Sequence, residues 1–363
     1  MGKTVRVATR GSLLALSQTR WVVARLEALH PGVRFAIEIY RTQGDRTQAA
    51  GIPLSQVGGK GLFTKELEEA LLDGRADLAV HSLKDMPTEL PPGLTLGCIP
   101  EREDPRDVVI TRDGTPLAGL PPGAVVGTSS LRRLAQLRRL RPDLEYRPVR
   151  GNVDTRLRKL AEGQYDALVM AAAGLHRAGF AGRITEYLDP GVVLPAVGQG
   201  ALALEIRAGD EEMARLLAPL HHLPTALAVR AERAFMARIT REAQAVAGLE
   251  AAAPPAPGAA AGRDEAAPPA PGAAPAAGTA GPGSPDRAPA LAGSCQTPVA
   301  AHARLAGDLL HLRGLVALPD GSRLVAWEAE GAPEDPEGLG TRVAEQVLAL
   351  GGREVLAQIH RRG

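Results

Sequence analysis

The chain has 363 residues, a formal net charge of +1 and only 3% aromatic residues. That is enough for two or three domains with their own cores, but it fits neither a polycationic nucleic-acid coat nor a platform for stacking single-stranded bases. No apolar run approaches the ~20 residues needed to cross a bilayer, and two cysteines, Cys98 and Cys295, give neither a disulfide framework nor zinc-ligand spacing, so no metal site is expected.

Met1-Gly2-Lys3-Thr4-Val5-Arg6-Val7 leads into a strand pattern over 6–9 with no signal-peptide h-region, and a cytosolic protein is expected. Ser12 can cap a helix over 13–29, with apolar positions at Leu16, Val23, Leu26 and Leu29. A strand follows at 35–40. A loop then runs through Gly44-Asp45 and Gly58-Gly59-Lys60-Gly61, ahead of a helix over 64–72 that stops at Gly74 and a strand at 77–81. Cys98 reads as a buried strand residue. The polar stretch 100–105 suggests a crossing into a second domain, with strands near Val108, Val125, Leu144 and Ala167. Leu194-Pro195-Ala196-Val197-Gly198-Gln199-Gly200 suggests the return crossing, and 201–206 a strand rejoining the first domain. This alternation argues for α/β layers.

From about Leu223 the character changes. A helix over 226–239, strands at 299–305, 309–318 and 323–328, and a last helix over 338–350 predict a small α+β domain. The expected organisation is 1–100 with 198–222, then 101–197, then 223–363. The third unit is interrupted at 241–292 by a segment made almost entirely of Ala, Pro and Gly, in which the octet Ala253 to Ala260 recurs at Ala267 to Ala274. Such a segment buries too little apolar area to fold by itself. Lengthening a loop tenfold costs only about 2 kcal/mol of closure entropy, so the host domain tolerates it.

The arginines carry the chemical signal. Between Gly127 and Leu160 stand ten basic residues against three acidic ones. Val125-Val126-Gly127-Thr128-Ser129-Ser130-Leu131-Arg132-Arg133 reads as a strand, a polar cap and a first helical turn. Two cations in a first turn oppose the helix macrodipole. They make sense if an anion occupies that helix start, among backbone N–H groups, hydroxyls and guanidinium forks. A second cluster holds Arg147, Arg150 and Arg156. The expected ligand carries several carboxylates or phosphates.

Six segments together resemble one family. They are Ala8-Thr9-Arg10-Gly11-Ser12, Val80 to Pro87 with Lys84 and Asp85, Gly127 to Arg133, Arg150 to Arg156, Pro195 to Ala201, and Gly293-Ser294-Cys295-Gln296-Thr297-Pro298-Val299-Ala300. In this order they resemble the hydroxymethylbilane synthases, also called porphobilinogen deaminases, over nearly the whole chain apart from the insertion. The resemblance implies two periplasmic-binding-protein-like α/β lobes with the active site between them, and a C-terminal α+β domain. It implies a cytoplasmic, monomeric transferase of tetrapyrrole and heme biosynthesis. Four porphobilinogen molecules are condensed head to tail, with loss of ammonia, onto a covalent dipyrromethane primer, and hydrolysis then releases linear hydroxymethylbilane.

Residue by residue, the resemblance makes Cys295 the thioether anchor of dipyrromethane, a task that suits a thiolate adding to an electron-poor carbon. Asp85 becomes the catalytic carboxylate, facing the pyrrole N–H where positive charge develops. Lys84, Asp85, Ser130, Arg132, Arg133 and Arg156 become cofactor ligands, and Arg10, Ser12, Arg150, Arg156, Arg177 and Gln199 substrate ligands, with Gln199 equally readable as a hinge residue. Lys60 and Phe63 belong to a lid over 44–63. His81 and His176 are read as packed residues, and Arg138, Arg139 and Arg141 as a solvated face. Replacing Arg133 or Arg156 by Ala is expected to leave folding intact and to impair cofactor assembly or elongation. Gln56, where many relatives carry lysine, and Ser294, where they carry glycine, depart from the pattern. The rival readings are a non-catalytic two-lobed binder of polycarboxylates and a nucleic-acid binder using the 132–159 strip.

Overall fold

The computed structural model describes residues 3–49, 61–252 and 298–362. In chain order the elements are β1 (Lys3–Arg10), α1 (Leu13–Leu29), β2 (Val33–Tyr40), α2 (Gln43–Ala49), α3 (Lys65–Leu72), β3 (Leu78–Ser82), β4 (Leu94–Cys98), β5 (Asp107–Thr111), β6 (Val125–Gly127), α4 (Leu131–Leu140), β7 (Glu145–Arg147), α5 (Val153–Ala161), β8 (Ala167–Ala171), α6 (Ala172–Arg177), β9 (Glu186–Tyr187), β10 (Leu202–Arg207) and α7 (Glu211–Leu217). The C-terminal part adds α8 (Leu223–Ala252), β11 (Val299–Ala306), β12 (Leu309–Ala317), β13 (Leu324–Gly331), α9 (Pro336–Val347) and α10 (Arg353–Arg362).

These strands form three sheets, in the orders β2-β1-β3-β10-β4, β7-β6-β8-β5-β9 and β11-β12-β13. The first two share a design. In each, three strands run parallel and a fourth enters antiparallel: β10 beside β3, and β5 beside β8. Each antiparallel strand is the one the chain forms on arriving from the other lobe. The central strands β3 (LAVHS), β5 (DVVIT) and β8 (ALVMA) are buried almost end to end, as strands covered on both faces must be. Two α/β lobes and a small C-terminal α+β domain are therefore the architecture. Among the described residues no helix is long and apolar enough to cross a membrane.

Helix α1 has the bounds its pattern predicts. The Ser12 hydroxyl accepts the Ala15 N–H at 3.3 Å, and Gln18, Thr19, Val22, Val23 and Leu26 form the buried stripe. Three expectations change. The lid's first part, 43–49, is helical, because Thr42 and Asp45 cap it reciprocally: Asp45 N–H donates to the Thr42 hydroxyl and Thr42 N–H to the Asp45 carboxylate. Helix α8 continues to Ala252, past the expected break at 241, since Arg238 and Arg353 both bind Glu242 and hold that turn against α9 and α10. The last helix is two, separated by a π turn at Leu348–Gly352 in which Gly351 takes φ 110°, a sufficient cause for a kink. Residues 253–297, with Ser294, Cys295 and the repeated octets, lie outside the described residues, as do Gln56 and Lys60.

The solvated face expected for Arg138 and Arg141 is partly engaged. Arg138 donates to Pro319 O of the C-terminal domain, and Arg141 reaches Leu117 O and Leu120 O. The C-terminal core centres on Phe235, which is fully buried and lies over Gly314 of β12, where a side chain would collide with its ring. Phe235→Ala should therefore cost about 3–5 kcal/mol of stability. Urea unfolding followed by far-UV circular dichroism checks it; a loss below 1 kcal/mol would mean the ring is not the keystone of this core.

Candidate active site

In each lobe the parallel strands end where the helices that follow them begin, the usual location of sites in such sheets, and the resemblance places the active site between the lobes. In the first lobe β1 ends at Arg10 with Ser12 capping α1, and β3 ends in a 3-10 turn, Leu83–Asp85. In the second, β6 leads through Ser130 into α4, β7 leads toward Arg150 and α5, and β8 runs into α6. The two sides touch: Gly174 of α6 lies beside Leu14 of α1, 3.7 Å from where its own side chain would begin.

Asp85 and Lys84 occupy the turn after β3, both half-buried. Leu83 N–H donates to Ala201 O, and Met86 N–H closes the turn on Leu83 O. Arg233, on α8, donates to Pro87 O and Thr88 O at 2.9 Å each, so the C-terminal domain pins the segment that carries Asp85. Burial pushes the Arg233 guanidinium below its ordinary range, opposed by the charge of Glu205.

Across the cleft, Arg156 Nε donates to Gly151 O at 2.8 Å, and Lys159 donates to Arg150 O at 3.2 Å. That carbonyl bond takes one N–H of Arg156 and none of its charge. Arg150 and Arg156 are half-buried. Arg147 instead pairs with Glu145 on the surface.

The anion demanded by the start of α4 is present, and it belongs to the protein. Asp107, the first residue of β5, is fully buried. Its carboxylate accepts from Arg132 Nη1 (2.6 Å) and Nη2 (3.2 Å), from Arg133 Nε (3.0 Å) and Nη2 (2.8 Å), and from Gln199 Nε2 (2.9 Å). Arg132 Nη1 also donates to Leu194 O and Arg133 Nη1 to Val169 O, while Arg132 Nε is buried without a hydrogen-bond partner among the described residues. Desolvation works against the Asp107 carboxylate, but the two guanidinium charges and their hydrogen bonds outweigh it and hold its pKa well below the usual range.

Arg132 and Arg133, expected as cofactor carboxylate ligands, thus already share an internal carboxylate. Their exposures are 1% and 7%, and each points its donors into lobe 2. Gln199, read as either a substrate contact or a hinge residue, is buried: its amide nitrogen donates to Pro105 O and Asp107, while its amide oxygen has no hydrogen-bond partner among the described residues. Ser130 is buried and caps α4 through Arg133 N–H at 3.5 Å.

Arg177 donates to Gly200 O at 2.8 Å; burial lowers its pKa to about 10, with Glu103 opposing. Gly200 (φ 87°) is where the two crossings meet, and a Cβ there would strike Glu103 O. Arg102 completes the junction. Its Nε donates to Gln199 O, and its Nη atoms donate to Glu232 of α8 at 2.7 and 3.1 Å; Glu232, fully buried, also accepts Gly198 N–H and Ala303 N–H.

The histidines are packed as read: His81 bonds Glu205 at 3.0 Å, and His176 bonds Glu103 and Tyr187. Cys98 is fully buried, its thiol pushed up to about 12 by desolvation, so it is not a competing nucleophile. Among the described residues no cluster of His, Cys, Asp or Glu is arranged to hold a metal ion.

Sequence reasoning missed Asp107, Arg102, Glu232, Arg233 and Asp45. Two had a signal. An acid opening the apolar run Val108-Val109-Ile110 needs a buried cation, and Thr42-x-x-Asp45 has capping-box spacing.

Two α/β lobes with cations and one carboxylate grouped at strand ends and helix starts, joined to a small α+β domain, make a two-lobed α/β protein with an added C-terminal domain. The chain belongs to the porphobilinogen deaminase family. Residues 5–215 match the model described as porphobilinogen deaminase, dipyromethane cofactor binding domain, and residues 289–349 match its C-terminal domain. It is 44% identical over 359 residues to the porphobilinogen deaminase of Syntrophobacter fumaroxidans, covering 99% of each chain. It is 46% identical over 357 residues to that of Roseiflexus sp. (strain RS-1), covering 98% of this chain and 100% of the other.

Asp107→Asn should strand two buried guanidinium groups and cost about 3–5 kcal/mol. Because the folded pKa of Asp107 is depressed, its contribution is complete above the unfolded value of about 3.9 and is lost only as pH falls through the folded one. The stability gap between wild type and variant should thus be flat from about pH 5 to 8 and narrow only in stronger acid. Denaturant titrations across pH test this; a gap that closes between pH 5 and 8 would show that Asp107 is not the charged hub. Arg133→Ala should also destabilise, contrary to the sequence expectation.

Proposed function

We propose that this chain is a hydroxymethylbilane synthase, which joins four porphobilinogen molecules head to tail with loss of ammonia onto a dipyrromethane primer and releases linear hydroxymethylbilane by hydrolysis. The observation that carries the reading is family membership over the full length, C-terminal domain included. A non-catalytic two-lobed binder would not need the C-terminal domain with its cysteine.

The donor set fits the cofactor. Dipyrromethane brings an acetate and a propionate on each ring, and Lys84, Arg150 and Arg156 are half-buried cations at strand ends and helix starts around the cleft. In our reading Cys295 anchors it, Lys84, Ser130 and Arg156 hold its arms, and Asp85 faces its ring N–H groups. Arg132 and Arg133 act one layer back, fixing the α4 start through Asp107. When bound, the group supplies the nucleophilic pyrrole carbon to which the first substrate is joined.

The chain's own residues do the rest. Arg10, Ser12, Arg150 and Arg177 orient the acetate and propionate arms of the incoming porphobilinogen. As its aminomethyl group leaves as ammonia, positive charge spreads onto the ring N–H. A carboxylate fixed at the Asp85 position stabilises that charge where it develops and can pass a proton to the departing amine. Phe63, stacked on the Arg10 guanidinium, belongs to the lid of this reading. We further infer a cytosolic monomer.

Intact-protein mass with peptide mapping around Cys295 tests this first: an addition of two linked porphobilinogen-derived units on that residue is expected. A thiol still unmodified after incubation with porphobilinogen or preformed tetrapyrrole would sink the reading. Asp85→Asn should keep the added mass and lose about 10²–10³-fold in kcat, while Arg156→Ala should fold normally and lose cofactor or elongation. An Asp85→Asn enzyme with wild-type kcat would remove Asp85 from the chemistry.

A further inference from the structure

Two arginine–carboxylate arrangements flank the cleft, and they differ in one respect. The Asp107 pairs are dry, with side-chain exposures of 0% for the acid and 1% and 9% for the two arginines. The Arg10–Asp45 pair is only partly buried, with exposures of 19% and 24%, so water reaches it. Arg10 Nη2 donates to Asp45 Oδ1 at 2.5 Å, and Nε lies 3.2 and 3.3 Å from the two carboxylate oxygens, so one whole edge of the guanidinium is filled. The face of the same group stacks on Phe63, 4.2 Å from the ring centroid. Asp45 has a second attachment. The Thr42 hydroxyl donates to Oδ2 at 2.7 Å and Thr42 N–H to the same oxygen at 3.3 Å. The acid therefore stays placed even when its arginine is taken. Desolvation tends to protonate it, but the Arg10 bonds and charge, with Thr42, win and keep it an anion.

A dry pair cannot be opened without stranding a charge, whereas a solvated pair exchanges partners at small cost. We propose that the Asp45 carboxylate is an internal stand-in for a substrate carboxylate on Arg10, and that porphobilinogen binds at this position by carboxylate exchange. This rests on the reading of Arg10 as a substrate ligand. The exchange returns part of the binding energy to the protein, so the fork is held in shape between additions without trapping the substrate arm. A site that is filled and vacated repeatedly gains nothing from tighter ground-state binding once it is saturated.

The test is a double-mutant cycle on the holoenzyme. Asp45→Asn and Asp45→Ser each remove the competing charge. Both should lower KM for porphobilinogen, and the competitive inhibition constant for propionate, by about two- to fivefold. Arg10→Ala should raise both, and Asp45→Asn should have no further effect in that background. If Arg10→Ala raises KM while the Asp45 variants leave it unchanged or raise it too, exchange is wrong and Asp45 merely orients Arg10. Should Arg10→Ala leave KM and propionate inhibition unaltered, the assignment of Arg10 as a substrate ligand itself fails.

Discussion

An ionised carboxylate taken out of water must be surrounded by donors, and in this protein that requirement ties the molecule together. Asp107 is fully buried and satisfied by Arg132, Arg133 and Gln199, drawn from the start of α4 and from the return crossing between lobes. Glu232 repeats the solution one layer away. It joins Arg102 of the outward crossing, Gly198 of the return crossing and Ala303 of the C-terminal sheet. Breaking a buried pair costs several kcal/mol because the surviving partner is left charged and dry. The two crossings, the α4 start and the C-terminal domain thus hold a single relative arrangement where they meet. The Asp85 turn is attached to the same frame through Arg233.

The functional surface inherits its shape from that frame. Arginines paired in the dry interior fix the lobe, and the wetter ones are those proposed to meet the ligand. Arg132 and Arg133 give their donors to lobe 2, whereas Arg10, Arg150 and Arg156 remain half-buried at the cleft. A reaction that binds new carboxylates at every addition needs both kinds. In the proposed reaction, the buried pairs fix the second lobe, and the exchangeable cation accepts and releases substrate arms. Burial separates the two classes, and residue type does not.

Much of the fold was legible because it follows local rules. The apolar periodicity and Ser12 placed α1 at its observed ends, and apolar runs announced the strands at 77–81 and near Val108 and Ala167, observed at 78–82, 107–111 and 167–171. Where local reading failed, a distant contact decided. Past residue 240 the low-complexity composition argued against structure, yet α8 persists to Ala252 with Arg238, Glu242 and Arg353 cross-linking it to α9 and α10. The lid's first turn is helical because Thr42 and Asp45 cap it.

By itself the sequence determined the family, through six ordered motifs, and it determined that the start of α4 requires an anion, since two cations there oppose the helix dipole. It could not say which anion. Asp107 lies 25 and 26 residues from its two partners along the chain, and only the pairing of β5 with β8 brings it beneath α4. The same limit applied to Gln199, whose burial against Asp107 and Pro105 no neighbour in sequence announces. Charge and periodicity are properties of neighbours in sequence; desolvation, which separates a ligand from a strut, exists only after the chain has folded around the group.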